Sequence, residues 1–416
     1  MKRFFKILGP GLLYAGAAVG VSHLIQSTRA GAMFDFDLVW ILILANILKY
    51  PFFEYGPRYA IATGNNLVDG YNIVGKWAVA LYAFVTFFSM FIFQAAITVV
   101  TVGLITYVFG ISINLVTMSI IVLVVSLIIL VFGKYSLLDK VIKYVIVLLA
   151  LSTIVAVFAA LGIDKVVDPE SLTSFTWTRQ ADVFFMIAFV GWMPAPIDVS
   201  VWSSMWNIAK AKEIGYFPSL KEGLNEFRVG YIGTALLALG FLSMGALVMY
   251  GTGEEFSQSG TKFSEQLINM YTKSLGEWAY WIVSIAAVAT MISTTITVLD
   301  AYPRALTPAF KHLFGNRWNK IKNKQTVTWM WLAILVLGTL LLIIFAVKSM
   351  GMMVTIATTI SFLVAPILAW LNYRVVTDKH MPEGSAPGLF LKVLSWVGII
   401  FFISFSLVYI YWEIAV

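Results

Sequence analysis

Two short stretches hold the residues whose types and spacing could do chemistry. In "AAVGVSHLIQST", residues 17–28, Gly20, Val21, Ser22 and His23 place a flexible residue, a hydroxyl and a titratable ring inside an apolar run. In "FVGWMPAPIDVSVW", residues 189–202, Met193, Ala195, Pro196 and Asp198 surround a second interruption and include a carboxylate. Pro194 and Pro196 remove backbone donors and clash with the preceding turn, so a helix running through them must break. Broken helices at membrane depth free carbonyls and amides that can hold a polar cargo. The candidate substrate-binding residues are therefore Gly20, Val21, Ser22, His23, Met193, Ala195, Pro196 and Asp198. Of these, His23 and Asp198 titrate, and a proton-linked pair across the two breaks is the expected coupling device. Each also has a structural reading: His23 can lock the break by bonding a carbonyl, Ser22 can cap the half-helix that follows, and Asp198 can complement a helix dipole.

The elements that must position these residues follow from composition. With 60% hydrophobic residues, 12% charged residues and a mean hydropathy of +0.88, the 416-residue chain is incompatible with a soluble domain. Apolar runs long enough to cross about 30 Å of hydrocarbon recur along its whole length. Spans are expected at 8–32, 37–60, 76–108, 113–133, 137–162, 182–209, 227–250, 276–305, 326–347, 351–376 and 388–413. The fold class is thus an all-α integral membrane protein of about eleven helices in a single domain. The breaks fall in spans one and six, five spans apart, which is the layout of a five-plus-five inverted repeat. Repeat one covers about 8–162, repeat two about 182–376, and span eleven, 388–413, lies outside both.

Lys and Arg set the orientation. With a cytoplasmic N-terminus the cytoplasmic segments hold most of them, and the opposite face holds only Arg29, Lys165, Arg179, Lys262, Lys273 and Lys348. That imbalance, near three to one, predicts a plasma (inner) membrane protein with its N-terminus inside and, for an odd number of spans, its C-terminus outside. The run "KHLFGNRWNKIKNK" then reads as an anchor near anionic headgroups, and the net charge of +7 has that ordinary origin rather than nucleic-acid binding. The first span lacks a small-residue cleavage site and is expected to stay in the mature chain. With no cysteine, disulfides and thiolate ligands are excluded. No zinc-protease helix, phosphate loop or nucleophile elbow is present, so neither an enzyme nor a cofactor is expected.

The opening "GPGLLYAGAAVGVSHLIQSTRAGAMFDFDLVWILILAN" and "IATG", Ile61 to Gly64, resemble the start of the Nramp family of divalent-metal transporters, in register from Gly9 to Gly64. The eleven-span layout agrees over the full chain. The resemblance implies the LeuT-type fold, a substrate site where spans one and six unwind and, in the family, proton-coupled metal uptake. The family's Asp-Pro-Gly-Asn motif falls here on Gly20, Val21, Ser22 and His23. Its Met-Pro-His motif falls on Ala195, Pro196 and Ile197, and Trp202 stands where many members have a second histidine. The metal-ligating carboxylate, amide and thioether of the family are thus replaced by Gly20, His23 and Ala195, and no metal site is assigned.

Manganese- or iron-type ions need carboxylate, imidazole or soft sulfur donors, which one imidazole and one hydroxyl do not supply. Half-helix N-termini favour a carboxylate. The leading expectation is therefore a secondary transporter of a small organic solute bearing a carboxylate or amide, such as an amino-acid derivative, with co-transported H+. The alternative is a divalent cation, Mg²⁺ or Mn²⁺, which for Mg²⁺ could keep several waters. A second alternative is a membrane sensor that transports nothing. A channel would need a continuous polar stripe, which the sequence lacks.

Other polar positions are weaker candidates. Gln26, Gln94, Thr355 and Thr358 could line a cavity or bond neighbouring helices. Glu54 and Arg58 have the spacing of a helix ion pair, and Lys49 in the same span is assigned to structure with them. Arg29 is expected to snorkel. Trp192, Trp202 and Trp206 are expected as packing or gate residues, and the Met-rich "SMGMMV" as core.

Overall fold

Apolar runs of this length bury their backbone polar groups only by closing them into helices. The computed structural model describes residues 9–132, 135–163, 165–315, 324–347 and 349–415, and among these every regular element is helical. Of the residues that count toward the orientation, Lys2, Arg3, Lys6, Lys134, Arg317, Lys320 and Lys322 on the cytoplasmic side and Lys348 on the other lie outside the described residues.

Span one is α1 (Pro10–Ala18), a π-helical turn (Ser22–Ser27) and α2 (Thr28–Phe34). Span two is α3 (Val39–Thr63), followed by a short α4 (Leu67–Val74) that the sequence reading missed. A capping box sets its start, with Asn66 accepting from the amides of Val68 and Asp69 while Asp69 accepts from the amide of Asn66. Spans three to five are α5 (Lys76–Val108), α6 (Leu115–Phe132) and α7 (Tyr135–Ala160). Span six is split into α8 (Gln180–Trp192) and α9 (Val199–Ile214).

The second half continues with α10 (Leu220–Val248), α11 (Gly260–Leu275), α12 (Ala279–Phe314), α13 (Lys324–Phe345), α14 (Met350–Thr377) and α15 (Leu389–Ala415). Helix α11 was also missed, because its polar face interrupts the apolar run. Its other face buries Phe263, Leu267, Ile268 and Tyr271 at helical spacing. Among the described residues, seven helices are each long and apolar enough to cross a membrane in one piece. The expected spans one and six are not among them because each is interrupted, and α3 carries Lys49, Glu54 and Arg58.

The packing places both breaks in the interior. α12 lies along α5, α10 along α2, α9 along α3, and α14 along α8. Lipid offers no hydrophobic drive between helices, so close backbone approach through small residues does the work. A Cβ on Gly31 would stand 1.9 Å from the carbonyl oxygen of Leu242, and one on Gly245 would stand 2.1 Å from that of Thr28. These reciprocal contacts fix α2 against α10, just beyond the first break.

Candidate functional site

Span one opens after Val19, whose backbone is extended at φ −77°, ψ 92°. The chain re-enters a helix through the wide turn Ser22–Ser27, where Ser27 Oγ donates to the carbonyl of Ser22 at 3.2 Å. Gly20 backs onto α12: a Cβ there would meet Thr294 Oγ1 at 3.0 Å. Ser22 does not cap the turn, since that position belongs to Val21 and no side chain bonds there. Its Oγ instead lies 2.6 Å from the carbonyl of Ala18, 2.7 Å from His23 Nδ1 and 3.3 Å from the carbonyl of Pro194. One hydroxyl proton serves these positions in turn.

His23 is fully buried, with Nε2 at 2.9 Å from the carbonyl of Thr234 on α10. A carbonyl only accepts, so Nε2 carries a proton, and Nδ1 faces the Ser22 hydroxyl. Both nitrogens are thus engaged, and the expected contact between His23 and Asp198 is not made. The imidazole ties the break to α10, which is the carbonyl-locking arrangement.

Span six opens at Met193, extended at φ −95°, ψ 116°, and resumes at Val199. Asp198 stands at the N-cap of α9, yet its side chain makes no capping bond. At 3% exposure, its Oδ2 accepts from Tyr302 Oη at 3.2 Å, while Oδ1 has no partner. Tyr71, Tyr82 and Tyr302 are all buried within electrostatic reach of this carboxylate. The carbonyls released by the break face α3. Lys49 Nζ donates to those of Val190 at 2.7 Å, Gly191 at 2.8 Å and Ala195 at 3.2 Å. Ser361 Oγ on α14 also donates to Gly191, at 3.0 Å.

Between the two breaks lies a small cavity of about 20 Å³, room for about one water. Of the candidate substrate-binding residues, Val21, Ser22 and Pro196 line it. Gly20, His23, Met193, Ala195 and Asp198 surround it without lining it. The remaining wall comes from Ala17, Ala18, Phe93, Ile97, Trp192, Val199, Trp202, Thr294 and Val298. Trp192 and Trp202 each keep an indole N–H without an acceptor.

None of the four expected polar liners reaches this cavity. Gln26 Nε2 donates to Thr358 Oγ1 at 3.1 Å and so joins span one to α14. Gln94 bonds Thr98 on its own helix at 3.2 Å, and Thr355 is exposed. Each side chain finds a hydroxyl or the surface nearer than the cavity. Glu54 and Arg58 form the expected pair at 2.6 Å, joined by Arg228 and by the hydroxyl of Tyr50. Arg29 lies over the Phe185 ring, 5.4 Å from its centroid.

Lys49, which the sequence reading assigned to structure beside Glu54 and Arg58, bonds span six instead of that pair. Its signal was available: a lysine deep in an apolar span, with its nearest acid five residues along and off its face of the helix. Thr294 and Tyr302 gave none, being ordinary residues of a long helix.

The Nramp family model, described as natural resistance-associated macrophage protein-like, matches residues 11–412. The chain belongs to the Nramp family. An uncharacterised protein of Pasteurella multocida is 37% identical over 412 residues, covering 98% of this chain and 92% of that one. A divalent metal cation transporter of Caldanaerobacter subterraneus is 29% identical over 79 residues, 18% of this chain and 19% of that one. Among solved structures, a mutant manganese transporter of Eremococcus coleocola superposes with TM-score 0.67 at 11% identity, covering 98% of this chain and 86% of that one. A nucleobase-cation-symport-1 family transporter, closed on bromovinylhydantoin, gives 0.58 at 12% identity, covering 98% and 92%. These likenesses carry the fold, a LeuT-type helical bundle in the membrane. Among the described residues no group of three or more His, Cys, Asp or Glu could hold a metal ion.

Proposed function

We propose that this Nramp-family chain is a secondary transporter working by alternating access around the breaks of spans one and six, and that its cargo is a divalent cation, Mg²⁺ or Mn²⁺, kept partly hydrated. The observation that carries this reading is the family match across residues 11–412. The relatives named as transporters of manganese or divalent metal cations support it. So does the size of the cavity, which has room for about one water and is too small for an amino-acid derivative. The polar side chains on its wall that can act as donors to a cation are the oxygens of Ser22 and Thr294. Hard oxygen donors with retained water suit Mg²⁺ or Mn²⁺ better than softer ions.

A second reading, the carboxylate-bearing solute expected from the sequence, is favoured by specific groups. Trp192 and Trp202 offer unpartnered N–H donors, and the Lys49 ammonium adds positive charge beside the break. Thermal-shift and calorimetric titration of the purified protein separate the two readings. Saturable binding of Mn²⁺ or Mg²⁺ without a response to organic acids is the expected result, and the reverse pattern replaces the cation with the solute.

The proton-coupling role expected of His23 and Asp198 narrows to Asp198, whose Oδ1 is free, whereas both His23 nitrogens are engaged. The orientation proposed from Lys and Arg, N-terminus in the cytoplasm and C-terminus outside the plasma (inner) membrane, and the single domain of two five-helix repeats plus α15 complete the reading.

A further inference from the structure

Lys49 has 0% exposure, and its three contacts are all backbone carbonyls, those of Val190 and Gly191 in the last turn of α8 and that of Ala195 in the unwound segment after it, at 2.7, 2.8 and 3.2 Å. An ammonium carries three N–H donors, so each has its own acceptor. Carbonyl oxygens converging on one point are how proteins replace the hydration shell of a monovalent cation. They converge here because α8 ends at Trp192 and Pro194 and Pro196 lack the amides that would continue its ladder, although the Val190 carbonyl still accepts from the Met193 amide at 3.1 Å. The charge acting on the ammonium from outside this ring is Asp198. Neither Lys49 nor Val190, Gly191 and Ala195 lines the cavity between the breaks, so this is a separate place.

We propose that the C-terminal turn of α8 and the unwound segment that follows it, residues 190–195, form a monovalent-cation site, and that Lys49 occupies it as a tethered cation. The ammonium replaces an inorganic ion and holds the broken segment in shape without one. Ammonium and K⁺ accept oxygens at similar distances, so those two ions are the chemical class the vacated site would take. The inference is independent of which cargo the chain carries.

Thermal unfolding of Lys49→Ala and of the unaltered protein, in detergent at one ionic strength, tests this with KCl, NH₄Cl and choline chloride. In choline the variant unfolds well below the parent. K⁺ or NH₄⁺ raises it by several degrees in a saturable way, as expected of a ligand bound to the folded state alone, and leaves the parent unchanged. Lys49→Met, which fills the volume with an uncharged thioether, is low in all three salts. If Lys49→Ala does not fold in choline, the fraction recovered folded after solubilisation in K⁺ or NH₄⁺ against choline is the readout, and recovery confined to the two cations supports the site. The proposal is overturned if Lys49→Ala matches the parent in choline, if K⁺ and NH₄⁺ leave its stability or recovery unchanged, or if they shift both proteins equally. Failure of Mn²⁺ and Mg²⁺ to bind the parent would remove the divalent-cation reading and leave this result standing.

Discussion

The carboxylate of Asp198 and the hydroxyl of Tyr302 meet at 3.2 Å beside the second break, and the other carboxylate oxygen has no partner. A buried carboxyl with one bond and one vacant oxygen is expensive to maintain and is a default functional candidate in a membrane. It also has one hydrogen-bond position open for a proton or a ligand.

Asp198→Asn keeps the shape and the acceptor for Tyr302 while deleting the charge. We predict at least a tenfold loss of cargo uptake into proteoliposomes and loss of its response to a pH gradient, with thermal stability unchanged or raised. Tyr302→Phe should cost only a few-fold. An Asn variant with undiminished, pH-driven uptake would remove Asp198 from the mechanism.

His23→Ala should behave in the opposite way. The ring bonds the Thr234 carbonyl and Ser22, so its removal deletes two buried hydrogen bonds at a cost of about 1–3 kcal/mol. A lowered unfolding temperature with an unshifted pH profile of uptake is the expected outcome. A shifted profile would return His23 to the proton path.

Gly31→Ala tests the crossing of α2 and α10, where the added methyl would meet the Leu242 carbonyl carbon and oxygen at 2.9 and 1.9 Å. Backbone atoms cannot rotate aside, so a loss of about 1–3 kcal/mol or more is expected from overpacking. Gly233→Ala, with nothing within 4 Å, is the control and should be silent. Equal thermal stability of the two variants would refute the close crossing.

Outside the membrane, His380 Nδ1 and the His380 amide both lie on Asp378 Oδ1, at 2.8 and 3.1 Å, and the hydrogen bond from the ring holds the Asp378 carboxyl below its ordinary range. A depressed carboxyl contributes order that is present above its unfolded-state value and is lost as pH falls through the folded one. Amide hydrogen exchange at His380 and Met381 should therefore accelerate only at acid pH, below the usual aspartate range, and by a small factor because Asp378 is partly exposed to solvent. Asp378→Asn should bring the faster exchange to neutral pH.

Much of this protein is legible in its sequence, because the physics involved is local. Apolar length dictates helices, two prolines within three residues dictate the break in span six, and Gly20 with Ser22 marks the one in span one. The pair Glu54–Arg58 follows from helical spacing alone. Family membership is likewise carried by the order of residues, since the motif frame persists where its ligands have gone.

What only the tertiary structure decided is which groups meet across the breaks. His23 turned to Thr234 because α10 brings a carbonyl within reach, and Asp198 found Tyr302 because α12 passes beside it. Lys49 was assigned to structure with Glu54, yet its ammonium lies on carbonyls about 140 residues away in sequence. Those acceptors exist only after span six has unwound and α3 has packed against it. Local pattern can announce that a helix will break, but the partners of the freed groups depend on long-range packing, which no spacing within either segment encodes.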